Sequence, residues 1–389
     1  MTDRVYADHH ATTPLVPEAF EAMRPWLTSF AGNPSSTHAD GRAARRALED
    51  ARESVAKGVG AEAEEVVFTS GGTEADALAV VGGARAARSR DPRRTRVLYG
   101  AAEHAAVRES ARSLLGEGFE VRELPVDSNG LPRREALDEA LNEETALVSL
   151  ILASNETGVV DERLPESAEI ARRHGVLFHT DAVQAVGKIP VDMRALGADL
   201  LSFTGHKLGG PRGAGALVVR KGVRVEPLLR GGGQEKGRRA GTENVAAIAG
   251  LSAALSRARR NLDEEGRRLS RLRDAFEAGL ASRVPDVAVN GAGARRLPTA
   301  SSAVFRGAEG ETLLQALDLA GISASSGSAC ASGTTTPSRV LLALGLPVQD
   351  VKSTLRFSFG WSTTSEEMER VLEVLPGLVA RVRSALALR

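Results

Sequence analysis

The chain has 389 residues, 50 basic against 50 acidic side chains, 42% hydrophobic residues and a single cysteine, Cys330. That length allows two domains and a sizeable core, and balanced charge without a block of one sign argues against a nucleic-acid or membrane-surface protein. No apolar run approaches the ~20 residues of a membrane-spanning helix, no signal-peptide core opens the chain, and one cysteine excludes an internal disulfide, so a cytoplasmic protein acting on a small molecule is expected.

From Glu65 onward, short apolar runs predict strands at 66–69, 97–99, 121–125, 146–152, 176–179, 200–204 and 216–220. Helix-length patterns separate them at 73–88, 105–115, 133–141 and 167–174. This alternation predicts an α/β domain with a mostly parallel seven-stranded sheet. After Gly241-Thr242-Glu243-Asn244 the texture changes. One long helix is expected from Val245 to about Ala281, then a strand at 302–305, a helix at 310–320, a helix at 338–344 and a strand at 355–359. A terminal helix begins at Ser365, with Thr364 and Glu367 at capping-box spacing. The expected division is a large domain over residues 15–250 and a smaller α+β domain from 1–14 and 251–389. Between its strands and helices, 325–337 is small, polar and punctuated by glycine, which predicts an exposed mobile loop around Cys330.

The most informative stretch couples His179-Thr180-Asp181-Ala182-Val183-Gln184 with Ser202-Phe203-Thr204-Gly205-His206-Lys207. One apolar run ends at an acid, the next at a hydroxyl, and a lysine follows. A pyridoxal phosphate enzyme needs this wiring. A lysine holds the cofactor as a Schiff base, an aspartate keeps the ring nitrogen protonated, and hydroxyl and amide donors hold the phosphate. Each residue alone would read as a solvated surface charge, so the weight lies in the set. Thr69-Ser70-Gly71-Gly72-Thr73-Glu74 adds a glycine pair at a strand-to-helix junction, where free amides and the helix dipole favour an anion. His104 and Asn155 each follow a strand, at the edge where α/β sheets collect ligands. His104 can stack on a flat ring, relay a proton or cap the next helix. Asn155 and Gln184 can donate to a phenolic oxygen or stabilise a loop. Arg356 could offer a carboxylate a bidentate fork or be an edge-strand charge.

Together these segments resemble the cysteine desulfurases of the nitrogen-fixation and housekeeping iron–sulfur branch, fold-type I enzymes of the class V aminotransferase kind. The resemblance runs from Tyr6-Ala7-Asp8-His9-His10-Ala11-Thr12-Thr13 to Arg356. It includes Gly32-Asn33-Pro34-Ser35-Ser36-Thr37-His38, Asn155-Glu156-Thr157-Gly158, Gly231-Gly232-Gly233-Gln234-Glu235, Arg239-Ala240-Gly241-Thr242 and Ser326-Gly327-Ser328-Ala329-Cys330. It implies that Lys207 bonds pyridoxal phosphate, Asp181 pairs with the ring nitrogen, and His104 covers the ring and handles protons. Asn155 and Gln184 would serve the ring substituents, and Gly72, Thr73, Thr204 and His206 the phosphate. Thr242 would reach the phosphate of a neighbouring subunit, hence a homodimer. Arg356, with Asn33 and Asn155, would bind the carboxylate of L-cysteine. Cys330 would take the sulfur as a persulfide, leaving L-alanine, and pass it to a protein acceptor such as an iron–sulfur scaffold; no metal is implied.

Three features depart from that branch. His9-His10 follow Asp8 where Asn is usual, Thr204 stands where Ser is usual, and no scaffold-docking tail is recognisable. The nearest alternatives are a selenocysteine lyase, an aminotransferase or a β-eliminating lyase on the same fold. A thiol at Cys330 has no use in transamination. A non-enzymatic sulfur-assembly scaffold would have no reason to keep Lys207, Asp181 and Cys330 together.

Overall fold

A computed structural model of the chain describes residues 4–326 and 337–387. It opens with β1 (Val5–Tyr6), α1 (Pro17–Thr28) and α2 (Ala39–Gly58). β2 (Val66–Thr69) leads into α3 (Gly72–Ala77), which runs through a π-helical segment, Leu78–Gly82, into α4 (Gly83–Arg90). Next come β3 (Arg96–Gly100), α5 (Ala105–Ser113), β4 (Glu120–Leu124), α6 (Arg134–Ala140) and β5 (Thr145–Ser149). α7 (Leu164–Arg173), β6 (Leu177–Asp181), α8 (Met193–Leu196), β7 (Leu200–Thr204) and β8 (Gly215–Val219) complete the first part.

These strands, β1 apart, form a seven-stranded sheet in the order β2-β8-β7-β6-β5-β3-β4. Pairing is parallel from β7 to β4, and β8 runs antiparallel to both β7 and β2. Helices cover both faces, so every residue of β3, β5, β7 and β8 is buried. Strands buried on both sides have no solvent face to alternate with, which is why they read as continuous apolar runs. The consequence for function is directional. β2, β3, β5, β6 and β7 all end at one edge, so the residues just beyond Thr69, Gly100, Ser149, Asp181 and Thr204 gather there.

The second part comprises α9 (Val245–Arg260), α10 (Leu262–Arg283), β9 (Val287–Val289), β10 (Ala300–Phe305), α11 (Gly310–Leu319), β11 (Ile322–Ser323) and β12 (Ser325–Ser326). After the undescribed residues come α12 (Arg339–Ala343), α13 (Val348–Lys352), β13 (Thr354–Ser358) and α14 (Ser365–Ala387). An antiparallel sheet β12-β13-β10-β9 packs on α10 and α14 around Phe276, Phe305, Phe357 and Phe359. The N-terminal strap joins this part: β1 pairs with β11, and Asp8 bridges to Ser358. The capping box forms, with Thr364 N–H donating to Glu367 Oε2 at 2.9 Å and Glu367 N–H to Thr364 Oγ1 at 3.2 Å.

The single helix expected from Val245 to about Ala281 is two. It breaks at Asn261 (φ −103°, ψ 7°), which closes α9 and opens α10. The cause is that its halves serve different cores. Ile248, Leu251, Ala254 and Leu255 pack with the large sheet's helices, whereas Leu269, Leu272, Phe276 and Leu280 pack under the small sheet. Leu251, Ala254 and Leu255, just past the expected boundary at 250, thus pack in the larger core.

Candidate active site

β6 ends at Asp181, which is 3% exposed and accepts the Val183 N–H at 2.8 Å. Ligating atoms of Asp181, His104 and Asp76 all lie within 4.8 Å of one another. Burial pushes the Asp181 carboxyl up, opposed by His104, the Val183 amide and Lys207. His104 opens α5, its Nδ1 accepting the Ala106 N–H at 3.1 Å. It caps that helix and sits beside Asp181.

Lys207 ends a single 3-10 turn after β7, and its Nζ donates to the carbonyl oxygens of His10 and, at 2.8 Å, Ala11. His206 pairs with Thr12 Oγ1 at 3.3 Å, and burial lowers its pKa to about 4, so it is uncharged at neutral pH. Thr204 Oγ1 donates to Ala214 O at 3.1 Å, which leaves its lone pairs for another donor. Gln184 donates to His10 O at 3.0 Å and accepts from Lys188 Nζ. The N-terminal strap thus ties Lys207, His206 and Gln184 to one another.

The junction from β2 to α3 has the shape an anion needs. A Cβ on Gly72 would meet Val183 Cγ2 at 2.9 Å, so only glycine lets that helix start approach the Asp181 loop. A Cβ on Gly71 would meet nothing nearer than Thr204 Oγ1 at 3.9 Å, which marks open space beside the hydroxyl. Asn155 Oδ1 is buried without a hydrogen-bond partner among the described residues. An open helix start, a buried carboxylate, an unsatisfied amide and a lysine at one edge fit pyridoxal phosphate.

Arg356 lies in β13, a strand flanked on both sides, and is 3% exposed, so the edge-charge alternative falls. Its guanidinium donates to Asn155 O at 2.8 Å and Asp8 Oδ1 at 2.9 Å, and its Nε has no hydrogen-bond partner among the described residues. Asn33 is exposed, its Oδ1 taken by Ser35 N–H at 2.9 Å, and it makes no hydrogen bond to Arg356 or Asn155 among the described residues. Thr242 is exposed, on a loop beside α3. Cys330 lies outside the described residues.

The two histidines after Asp8 are structural. His9 pairs with Thr13 Oγ1 at 2.5 Å and Thr363 Oγ1 at 3.2 Å, and its ring fills the space a Cβ on Gly360 would need. His10 pairs with Thr299 Oγ1 at 2.8 Å and Asn155 O at 3.3 Å. Burial lowers His9 to about 4 and His10 well below the usual imidazole range, so both are neutral bridges between the two parts.

Several buried titratable groups at the site were not singled out from sequence. Asp76 is 1% exposed and His179 0%. The His179 imidazole is held by Ser149 and Ser202, and burial lowers it to about 3. Glu103 accepts the Ile151 N–H, and burial with Asp181 lifts its carboxyl well up. Glu156 accepts the Ser338 hydroxyl at 2.6 Å; burial raises it to about 7 against that bond, Arg356 and His104. Lys188 is lowered by burial, then by Lys207 and Arg356. Spacing offered a cue only for Lys188, four residues after Gln184.

The aminotransferase class-V family model matches residues 5–371. A cysteine desulfurase of Cereibacter sphaeroides is 48% identical over 384 residues, covering 98% of this chain and 97% of the relative. A cysteine desulfurase IscS of Dictyoglomus turgidum is 44% identical over 384 residues, covering 99% and 96%. Among solved structures, a NifS-like protein superposes with a TM-score of 0.90 at 33% identity, covering 97% of this chain and 100% of that one.

Proposed function

The chain belongs to the aminotransferase class-V family, and from that premise we propose that it is a pyridoxal phosphate-dependent cysteine desulfurase, converting L-cysteine to L-alanine and delivering the sulfur to iron–sulfur cluster assembly or another thiolation pathway. One observation carries the reading beyond the relatives. Buried Arg356, with an unsatisfied Nε, donates to Asn155 O, the carbonyl that His10 Nδ1 meets at 3.3 Å, while Lys207 Nζ donates to the His10 carbonyl, so His10 links the guanidinium to the lysine. A buried guanidinium beside a cofactor lysine suits a small amino-acid carboxylate.

Pyridoxal phosphate, when bound, supplies an electron sink that weakens bonds at the substrate's Cα and Cβ. Lys207 Nζ, which donates to the His10 and Ala11 carbonyls, would bond it. Asp181, its Oδ1 fixed by the Val183 N–H, would hold the ring-nitrogen proton. His104, beside Asp181, would cover the ring and relay protons, and Gln184 and Asn155 would orient the ring substituents. Gly72, Thr73, Thr204 and His206 would hold the phosphate. Arg356 fixes the substrate carboxylate, with Asn155 and Asn33 assisting. The Cys330 thiolate attacks the substrate sulfur; the Cβ–S bond breaks, its electrons remain on carbon, and protonation there gives alanine. Cys330 keeps the sulfur as a persulfide until a protein acceptor takes it.

The active form in this reading is a cytoplasmic homodimer, with Thr242 serving the partner's phosphate. Exposure of Thr242 supports it, as do Phe20 and Leu27 of α1, 51% and 63% exposed. Among the described residues no helix is long and apolar enough to cross a membrane. We set the domain division at Asn261, where the core changes.

The test is turnover of L-cysteine with a reductant. The parent should release alanine and sulfide in equal amounts; Lys207→Ala should release neither, and Cys330→Ala should bind L-cysteine yet release little alanine. Arg356→Ala should raise KM roughly tenfold to a hundredfold, the range for losing charge-assisted hydrogen bonds. Parent-level turnover by Lys207→Ala would defeat the assignment.

A further inference from the structure

An acid stands where the phosphate reading wants none. Glu74 is the third residue of the helix that starts at Gly72 and continues, through its π segment, to Arg90. Its Oε2 accepts the Ser70 N–H at 2.7 Å, so the carboxylate is folded back onto the strand-to-helix turn itself. Acidic side chains ordinarily stabilise helix starts by offsetting the positive end of the dipole. At a start that must hold a phosphate, the same charge cancels the dipole and repels the ligand.

Arg239 meets that charge. Its Nε donates to Glu74 Oε1 at 2.8 Å and its Nη2 to Oε2 at 3.4 Å, with the two side chains 21% and 17% exposed. The loop presenting it is firmly anchored. Glu235, in the left-handed region at φ +47°, takes both guanidinium branches of Arg52 at 2.8 Å, the pair being 6% and 2% exposed. Glu235 also accepts the Phe68 N–H of β2 at 2.9 Å, and Gln234 Oε1 accepts the Gly241 N–H at 3.1 Å. β2 and the 234–241 loop are therefore pinned to the same buried carboxylate, so the turn after β2 and Arg239 are carried by one framework.

We propose that Arg239 is a positioning residue for the cofactor phosphate: it neutralises Glu74 and so lets Glu74 shape the turn, through Ser70, without repelling the anion. This rests on the phosphate lying at the Gly71–Thr73 turn. Neither side chain is required to touch the ligand. Arg239 acts through Glu74, and its effect is electrostatic, so it should weaken as salt rises.

The experiment measures dissociation constants for pyridoxal phosphate, and for inorganic phosphate with cofactor-stripped full-length protein, at low and high salt. Arg239→Gln should weaken both about tenfold at low salt, within the range of charge effects at helix termini, and less at high salt. Glu74→Gln keeps an acceptor for Ser70 N–H and should bind at least as tightly as the parent. The double variant should return to within about threefold of the parent, because charge and countercharge leave together. An Arg239→Gln protein that binds like the parent overturns the proposal; so does a loss that Glu74→Gln fails to restore, since that would mean a purely structural role for the loop. Thr73→Ala separates the proposal from its premise. If Thr73→Ala weakens phosphate while Arg239→Gln does not, the proposal alone fails; if Thr73→Ala changes nothing, the phosphate position fails and the proposal with it.

Discussion

Glu156 follows Asn155 at the strand-end edge, buried, with one hydrogen bond from Ser338. Burial raises its carboxyl from 4.5 to about 7, so the folded protein holds a proton there that the unfolded chain releases near 4.5. The folded value lies above the unfolded one. The stabilising contribution is therefore complete below about pH 4.5 and is lost as pH rises through about 7, a span worth about 3 kcal/mol. Glu156→Gln, which still accepts from Ser338, should unfold at higher urea than the parent at about pH 8 and match it near pH 4. Coincident curves at about pH 8 would show that the carboxyl is not desolvated. At this scale, legibility depended on where a residue sits in its element. Asp181, Thr204 and Lys207 close or follow buried strands, and a polar residue ending an apolar run stands out in the chain. Asp76 lies inside a helical stretch, where the sequence does not say which side faces the site. Glu103 and Glu156 were visible only as neighbours of His104 and Asn155. His9-His10 signalled a departure whose meaning needed Thr299, Thr363 and Gly360, all distant in sequence.

Among elements, the parallel strands were readable because burial on both faces leaves an unbroken apolar run. The break at Asn261 was not, because apolar periodicity continues across it while the core it serves changes. The loop of 231–242 was readable as a motif but not as a structure. Its fixed shape depends on Arg52 of α2, reaching Glu235 from 183 residues away. Breaking that pair from one side should be costly, since the other charge would be left buried and alone. Arg52→Met should lower unfolding stability by about 3–5 kcal/mol. Adding Glu235→Leu removes the stranded charge and should recover a large part of the loss, although Phe68 N–H then lacks its acceptor. Urea denaturation of the parent, Arg52→Met, Glu235→Leu and the double variant, with fluorescence and circular dichroism as independent probes, decides it. Additive losses in the double variant would mean that the two side chains contribute separately.

For the whole molecule, the proposed dimer makes its sharpest claim at Thr242. Thr242 is exposed, and its loop is tied to the start of α3 through Arg239 and Glu74. A hydroxyl displayed on a fixed, solvent-facing loop suits a ligand held by a second subunit, and closed two-fold dimers are the commonest way of supplying one. Under the proposed dimer, each site draws Lys207 from one chain and Thr242 from the other. Mixing Lys207→Ala chains with Thr242→Ala chains tests this directly. In the mixed dimer, the site on the Lys207→Ala chain is dead. The site on the Thr242→Ala chain has its own Lys207 and borrows an intact Thr242 from its partner. Thr242→Ala alone should weaken cofactor binding by roughly tenfold to a hundredfold, as for loss of a hydrogen bond to a charged group. Mixed dimers, isolated with two different affinity tags, should bind one cofactor per dimer at parental affinity and show half the parental turnover. If Thr242 instead serves its own chain, the mixed dimer binds its cofactor as weakly as the Thr242→Ala homodimer, and the shared site is wrong even though the dimer stands. If the chain runs as a monomer in light scattering while turning over L-cysteine at full rate, the dimer itself is not the active form.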